Sequence, residues 1–323
     1  MHKRSSHTVR STPVSCIADT HLLPLALEHA SVLPQWLRSL PAEEAAQLYL
    51  PLAREFRRAF AATRNELSER KPELIIHLGD VTYGTDRGGL NHSSLLKESR
   101  LCIQSLRDIG TTVRVTIGNH DTGPATDENL LFGESLSHCE NTFGPLFWSE
   151  IVEGVLHIGL AAPLLDYSGA DSGILSRKDD QLTFLLALLR ANSLPWVLYV
   201  HSPFSLRAIA PSLAPFLPRL RAVVCGHLHR PITGGFLRIL EGPVASSPAY
   251  GTILRNVTIC PSVAPLWSPG YNLLHLSMGG QRMHRTHQRV AKPDSSESIP
   301  KASLARCLWA FMTIGIEATV GVG

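Results

Sequence analysis

The residues best suited to chemistry are histidines, aspartates and one asparagine, which occur in short motifs separated by long stretches of chain. Histidine is the commonest protein metal ligand and a general acid near neutral pH, and the chain contains 15 histidines. A run of apolar, partly β-branched residues precedes each motif, so the polar side chains come where a predicted strand ends. The motifs are Asp19-Thr20-His21, Gly79-Asp80, Gly118-Asn119-His120-Asp121, His201 and Gly226-His227-Leu228-His229.

The elements that must position these motifs alternate between strands and helices, and this alternation predicts an α/β fold. In an open α/β sheet, ligands bind outside the carboxyl ends of the strands, so loops that are distant in sequence converge there. The predicted strands span residues 14–18, 73–79, 113–118, 155–161, 196–201 and 222–226. The predicted helices span residues 42–70, 93–109 and 178–191.

The motifs together offer carboxylates, imidazoles and one amide oxygen, without a thiolate. Such a set suits Mn, Fe or Zn better than an all-oxygen calcium cage. It is too large for one tetrahedral zinc ion and fits two ions about 3.5 to 4 Å apart that share a carboxylate, an arrangement suited to phosphoryl transfer. The seven predicted metal ligands are Asp19, His21, Asp80, Asn119, His201, His227 and His229.

The composition excludes several classes of protein. The net charge is only +3 over 323 residues, so charge predicts no binding to nucleic acid. The six cysteines form no CxxC pair, which argues against a zinc knuckle or a disulfide scaffold. The N-terminal sequence lacks the apolar region of a secretory signal, and the apolar run at residues 307–316 is about half as long as a spanning helix requires. We expect a cytoplasmic protein without a membrane span and leave its oligomeric state open.

The sequence pattern changes after Arg230, where short strand-like pieces are separated by glycine and proline. These pieces predict a second, mostly antiparallel sheet within the same domain. From about residue 281 the chain becomes polar, basic and rich in serine and proline, which predicts a flexible linker. The predicted division is a flexible N-terminus at 1–12, a catalytic domain at 13–280, and a linker with a C-terminal tail at 281–323.

The ordered set of motifs DTH, GD, GNHD, H and GHLH resembles the calcineurin-like metallophosphoesterase superfamily over about residues 13–280. The resemblance implies a four-layer α/β/β/α sandwich, with two mixed β-sheets flanked by helices. It also implies a dinuclear metal centre in which Asp80 bridges the two ions. By this resemblance one metal is held by Asp19, His21, Asp80 and His229, and the second by Asp80, Asn119, His201 and His227.

The same resemblance implies that His120 is a catalytic residue and not a ligand. It protonates the leaving-group oxygen as general acid, while a hydroxide that bridges the two metals attacks the phosphorus in line. Many relatives carry an acidic residue three positions after the bridging aspartate, where it orients this histidine, but Tyr83 stands there in this chain. Asp121 is the candidate that could take over this support, which makes it the second predicted catalytic residue.

Shorter similarities at residues 19–22, 173–189 and 226–231 favour the bacterial class III cyclic nucleotide phosphodiesterases. Those enzymes often carry a doubled histidine where this chain has only His201 followed by Ser202. We expect hydrolysis of a small phosphodiester, with a cyclic nucleotide as one candidate. The alternatives are a phosphomonoesterase or protein phosphatase of the same fold and, in a different class, a non-catalytic scaffold that binds protein partners.

Two further predictions concern residues around the motifs. The segment 122–150 is predicted to be a long loop that walls the substrate pocket. His77 faces away from the motifs by strand alternation, and His157 lies in the middle of a predicted strand, so both histidines are predicted to be structural.

Overall fold

The computed structural model of the protein describes residues 14–24, 41–84, 93–123, 132–229, 234–263, 271–279 and 282–290. Within these ranges, two five-stranded sheets pack face to face, and helices cover the outer face of each sheet. This arrangement is the four-layer α/β/β/α sandwich that the resemblance implies, so the predicted fold class is confirmed.

The first sheet contains the strands that lead into the first three motifs. Strands β1 (Val14–Ile17), β2 (Leu74–His77) and β3 (Thr112–Val115) are parallel neighbours in that order. On the other side of β1, the antiparallel strands β9 (Tyr271–Gly279) and β10 (Arg282–Val290) complete the sheet. Because β1, β2 and β3 run in the same direction, the loops that follow them leave from one edge of the sheet.

The second sheet contains the strands that lead into the last two motifs. Strand β4 (Trp148–Val152) is antiparallel to β5 (Val155–Leu160). Strands β5, β6 (Trp196–Val200), β7 (Leu220–Cys225) and β8 (Val257–Ile259) are parallel. The carboxyl ends of β6 and β7 therefore also open at one edge.

Helices supply the two outer layers. In chain order the described helices are α1 (Ala42–Arg70), α2 (Ser93–Arg107), α3 (Asn119–Thr122), α4 (Phe132–Phe143), α5 (Ala162–Asp166), α6 (Ser172–Ala191), α7 (Ala210–Leu213), α8 (Gly234–Glu241) and α9 (Pro248–Arg255). Helices α1, α2 and α4 pack on the first sheet, and α6 to α9 pack on the second.

Strand alternation divides the apolar residues between the layers. In β1, Ile17 packs with the helices of the first outer layer, whereas its neighbour Cys16 packs between the sheets. In β2, Ile75 and Ile76 divide in the same way. Successive side chains point to opposite faces of a sheet, and both faces are covered here, so these strands are buried along their whole length.

Trp148 connects edge strands of the two sheets. Its indole Nε1 donates a hydrogen bond to the carbonyl of Val115 at the end of β3, at 2.8 Å. Its ring lies against Gly159, the residue opposite it in β5, and a Cβ added to Gly159 would overlap the indole. This contact requires a residue without a side chain at position 159.

The structure corrects the prediction of an antiparallel sheet after Arg230. Residues 236–240 lie in α8 and residues 252–255 lie in α9. Residues 257–259 form β8, which is parallel to β7 in the second sheet, and residues 271–278 lie in β9, which is antiparallel as predicted but belongs to the first sheet. Short apolar runs with β-branched residues are compatible with either a strand or a buried helix, and here packing on the second sheet decides for helix.

Two predicted boundaries are also wrong. The linker does not begin at residue 281, because β10 pairs with β9 from Arg282 opposite Gly279 to Val290 opposite Tyr271. An edge strand tolerates a polar, basic sequence, since charges there discourage pairing with other chains. The segment 122–150 is not one long loop, because it contains α4 and the start of β4.

The predicted flexible N-terminus at 1–12 and the tail from residue 291 lie outside the described residues. None of the helices in the described ranges combines the length and the apolar character that a membrane span requires.

Candidate metal centre

The loops after five parallel strands bring all seven predicted ligands to one place. Asp19 and His21 follow β1, and Asp80 follows β2. Asn119 begins α3, directly after the loop that leaves β3. The last three predicted ligands follow strands of the second sheet: His201 follows β6, and His227 and His229 follow β7.

One group of potential ligand atoms comes from Asp19, His21, Asp80 and His229, and these atoms all lie within 4.8 Å of one another. His229 Nε2 is 3.3 Å from Asp19 Oδ1 and 3.3 Å from His21 Nε2. His21 Nε2 is 3.8 Å from Asp80 Oδ2. The ring nitrogens and carboxylate oxygens thus point at a common space.

A second group of potential ligand atoms comes from Asp80, His201 and His227. His201 Nε2 lies 3.1 Å from Asp80 Oδ2 and 3.2 Å from the side-chain oxygen of Asn119. That oxygen is also 3.1 Å from His227 Nδ1. Asn119 therefore joins the second group, and Asp80 belongs to both.

Five of these residues have left-handed backbone conformations that side chains other than glycine rarely adopt. Their φ angles are between 46° and 67°. Such backbone is strained by about 1 to 3 kcal/mol per residue and persists where the surrounding structure enforces it, commonly at functional sites. The five residues are Asp19, His21, Asp80, His227 and His229.

Close backbone approach also shapes the site at two glycines. A Cβ added to Gly118 would overlap Asp80 Oδ1, and one added to Gly226 would lie 2.8 Å from Asp19 Oδ2. Each glycine thus leaves room for a carboxylate from another loop. This explains why a glycine precedes Asn119 and His227 in their motifs.

Hydrogen bonds to main-chain atoms orient the inner residues. His201 Nδ1 donates to the carbonyl of Leu78 at 2.7 Å, so its Nε2 is directed at Asp80 and Asn119. The backbone N–H of His227 donates to both carboxylate oxygens of Asp19, at 3.1 and 3.2 Å. A hydrogen bond from the second ring nitrogen, such as the one from His201 Nδ1, sets the tautomer and direction of a metal-binding histidine.

Burial and mutual charge shift the pKa values in the site. Burial opposes the charged form of Asp80, but the imidazoles of His201, His120 and His21 outweigh it and hold the pKa of Asp80 well below its usual range. Burial likewise opposes a charged His201, yet the carboxylate of Asp80 raises the pKa of His201 to about 10. Burial, with the neighbouring His201, lowers the pKa of His227 to about 4. The site therefore favours an ionised carboxylate surrounded by imidazoles.

The donor set fits two metal ions. Carboxylate, imidazole and amide oxygen are ligands for Mn, Fe and Zn, and among the described residues no cysteine contributes to either group. The two groups share one carboxylate, as a bridging ligand requires. Asp19, His21, Asp80 and His201 are buried, whereas Asn119 and His227 reach toward solvent, so a substrate would approach from their side.

His120 lies beside the first group, with its ring centroid 5.0 Å from that of His21. Its backbone N–H donates to Asp80 Oδ1 at 2.9 Å, and its Nδ1 lies 2.9 Å from the carbonyl oxygen of Tyr83. The ring is partly exposed. It thus stands at the open side of the site, where the predicted general acid must stand.

The predicted support of His120 by Asp121 is wrong. The carboxylate of Asp121 accepts the backbone N–H groups of Asp80, Val81 and Gly118, at 2.9 to 3.1 Å. Burial and the charge of Asp80 raise the pKa of Asp121 to about 7. Asp121 is fully buried and ties the second motif to the third, so it has no place among residues that touch a substrate.

Sequence reasoning missed a second layer of hydrogen bonds behind the ligands. The N–H of Gly79 donates to Nδ1 of buried His77, His77 Nε2 contacts the Thr20 hydroxyl at 3.1 Å, and that hydroxyl donates to the carbonyl of Val81 at 2.7 Å. Ser262 donates to the carbonyl of Asp19 at 2.8 Å. His77 is structural, as predicted. Its partner Thr20 could have been found from the sequence, because Thr20 lies between the ligands Asp19 and His21 and its side chain points to the opposite face.

Comparisons with known proteins agree with this fold. A sequence profile of the calcineurin-like phosphoesterase family matches residues 12–231. The chain therefore belongs to the calcineurin-like phosphoesterase family. No curated protein matches the chain.

Solved structures that are similar to this chain have low sequence identity to it. A dimetal phosphatase from Danio rerio is 12% identical, with a TM-score of 0.51 over 87% of this chain and 96% of that one. An archaeal phosphodiesterase is also 12% identical, with a TM-score of 0.33 over 85% of this chain and 99% of that one. At this identity the likeness to the phosphatase is evidence of fold alone.

Proposed function

We propose that the protein hydrolyses a phosphodiester at a dinuclear metal centre, with His120 as general acid. One observation carries the proposal: two groups of ligand atoms share Asp80, and His120 stands beside them and donates its backbone N–H to the same carboxylate. Two ions bound there would neutralise charge on the phosphoryl group and supply the attacking water. Manganese, iron and zinc are the candidate ions.

The side chains of this site have distinct tasks in that reaction. Asp80 belongs to both groups of ligand atoms, and His201, His227 and Asn119 complete the second group. With Nδ1 of His120 engaged by the Tyr83 carbonyl, its Nε2 is the nitrogen available to give a proton to the leaving oxygen. After the leaving group has departed, solvent water returns a proton to Nε2 of His120.

The preference for a diester rests on the similarity of residues 19–22, 173–189 and 226–231 to cyclic nucleotide phosphodiesterases. Among the described residues, the ion-pair partners of Asp19 and Asp80 are histidines. A cyclic nucleotide is the first small diester to test, and a cytoplasmic location stays a prediction.

The test is hydrolysis of bis-p-nitrophenyl phosphate beside p-nitrophenyl phosphate, by protein stripped with a chelator and reconstituted with manganese. Cyclic AMP follows under the same conditions. We expect metal-dependent hydrolysis with preference for the diester. Preference for the monoester would point to a phosphatase, and absence of metal-dependent turnover on all three would point to a scaffold.

The His120→Ala variant separates the general acid from the metal site. We expect it to lower kcat by about 100- to 10,000-fold, which is typical for general acid catalysis, with manganese content unchanged. Wild-type turnover in this variant would remove the proposed role of His120. Loss of metal together with activity would make the variant uninformative about the acid, so metal content is measured on the same sample.

A further inference from the structure

We propose that Tyr83 is the positioning residue of His120, through its main-chain carbonyl and its ring. The proposal rests on the proposed function, in which His120 gives the proton.

The main-chain contact is direct. The carbonyl oxygen of Tyr83 lies 2.9 Å from Nδ1 of His120, and a carbonyl can only accept. The contact therefore keeps a proton on Nδ1 in both the neutral and the protonated ring and turns Nε2 away from the loop. The acid is the doubly protonated ring, which gives up the proton on Nε2 and keeps the one on Nδ1. Asp121 cannot serve instead, since its two oxygens accept the N–H groups of Asp80, Val81 and Gly118.

The ring of Tyr83 confines the same imidazole from the side. Its centroid is 4.9 Å from that of His120, at an interplanar angle of 51°, and 5.4 Å from that of His21. These separations are within the range of favourable aromatic pairs. Tyr83 is 8% exposed, so its ring forms part of the packed wall and leaves His120 little freedom to rotate.

The backbone that carries the carbonyl is itself held in place. The N–H of Tyr83 donates to the carbonyl of Leu22 at 3.3 Å, and the N–H of Leu22 donates to Val81 at 3.0 Å. Gly84 follows at φ +55°, and a Cβ added to it would overlap the carbonyl oxygen of His120. The Tyr83–Gly84 peptide is therefore fitted against His120, and glycine at 84 is required for the fit.

Gly84→Ala tests the main-chain contact, because a side-chain change at Tyr83 leaves the carbonyl in place. Gly242→Ala is the matched control: Gly242 has φ +51°, and a Cβ added there meets nothing within 4 Å. Both variants place a side chain on left-handed backbone, but only the Cβ added in Gly84→Ala would overlap the carbonyl oxygen of His120. Tyr83→Ala tests the ring, and Tyr83→Phe is the conservative variant that keeps ring and carbonyl.

The first readout is the dependence of kcat on the leaving group. Diphenyl phosphate releases a more basic phenolate than bis-p-nitrophenyl phosphate, so it needs the proton of His120 more. We expect Gly84→Ala and Tyr83→Ala to lower kcat for diphenyl phosphate about tenfold more than for the nitrophenyl ester, a part of the usual general-acid effect. KM should change little, and Tyr83→Phe should recover the wild-type ratio.

The second readout uses no catalysis. It is an NMR measurement of the imidazole protons in metal-free protein labelled with 15N-histidine. The signals of His120 are assigned by their loss in His120→Gln. We expect a slowly exchanging proton on Nδ1 of His120 in wild type, Gly242→Ala and Tyr83→Phe. It should be lost in Gly84→Ala and exchange faster in Tyr83→Ala.

Two results would overturn the proposal: a wild-type His120 signal in folded Gly84→Ala, or equal losses of kcat on both diesters in both variants. Failure of the proposed function is a different result. In that case His120→Ala changes kcat on diphenyl phosphate and on bis-p-nitrophenyl phosphate by the same factor. The Nδ1 proton of His120 still reports whether Tyr83 positions the ring.

Discussion

The carboxylate of Asp121 accepts the backbone N–H of Asp80 at 2.9 Å, so the residue after His120 holds the shared ligand in place. We expect Asp121→Asn to weaken manganese binding by about 10- to 100-fold, as is usual when a group that supports a ligand is changed. The two oxygens of Asp121 accept three backbone N–H groups, and the amide nitrogen of an asparagine cannot accept a hydrogen bond in place of one of them. Metal titration of activity measures the effect.

High manganese should restore turnover in Asp121→Asn but not in His120→Ala. If Asp121→Asn bound manganese like wild type and lost kcat irreversibly, Asp121 would have a direct catalytic role after all.

The shared position of Asp80 predicts how many ions each variant binds. Asp80 belongs to both groups of ligand atoms, whereas His229 belongs to the first and His227 to the second. We expect two manganese ions per chain in wild type, one in His229→Ala or His227→Ala, and none in Asp80→Ala. Elemental analysis after equilibration and desalting gives the counts, with His157→Gln as a buried-histidine control outside the site. Two ions retained in Asp80→Ala would contradict the bridging role.

The burial of His157 predicts a loss of stability in acid. Its Nδ1 lies 2.7 Å from the hydroxyl of Tyr199, and burial lowers the pKa of His157 from 6.5 to about 4. Between these values the unfolded chain binds a proton that the folded protein does not. The stabilisation is therefore complete above about pH 6.5 and is lost as the pH falls toward 4, by roughly 3 kcal/mol in total.

Urea unfolding of wild type and His157→Gln from pH 8 to pH 4 checks this sign. The difference in unfolding free energy between the two proteins should shrink or reverse as the pH falls. Parallel pH profiles would show that His157 does not titrate differently in the folded state.

The contact between Trp148 and Gly159 predicts a cost for any side chain at position 159. A Cβ added there would overlap the indole, so we expect Gly159→Ala to lower the free energy of unfolding by about 1 to 3 kcal/mol. Gly133→Ala in α4 is the control, because its added Cβ approaches only Ile174 Cδ1, at 3.9 Å. That substitution should change the free energy of unfolding by no more than about 0.5 kcal/mol, since Gly133 is the second residue of α4 and is only partly buried. Equal effects in urea unfolding would contradict the packing argument.

The ligand residues and the parallel strands before them could be predicted from the sequence. Asp19 and Asp80 each follow a short apolar run, and neighbouring parallel strands open at one edge of a sheet, so their meeting could be predicted. His201 follows a strand of the second sheet, so its place beside them depends on how the two sheets pack. The helix at Ala42–Arg70 was likewise evident from its periodic apolar residues.

Only the tertiary structure decided which groups support the site. Main-chain atoms such as the carbonyls of Leu78 and Tyr83 belong to every residue type, so no sequence pattern marks them as partners of His201 and His120. The role of Asp121 was misassigned for a related reason: adjacency to His120 in the chain does not tell which way a carboxylate turns. Strand β10 became visible only through its pairing with β9, because an edge strand needs no apolar pattern of its own. Local chemistry can be read from residue types, but hydrogen bonds between distant loops depend on where the packed sheets bring the backbone.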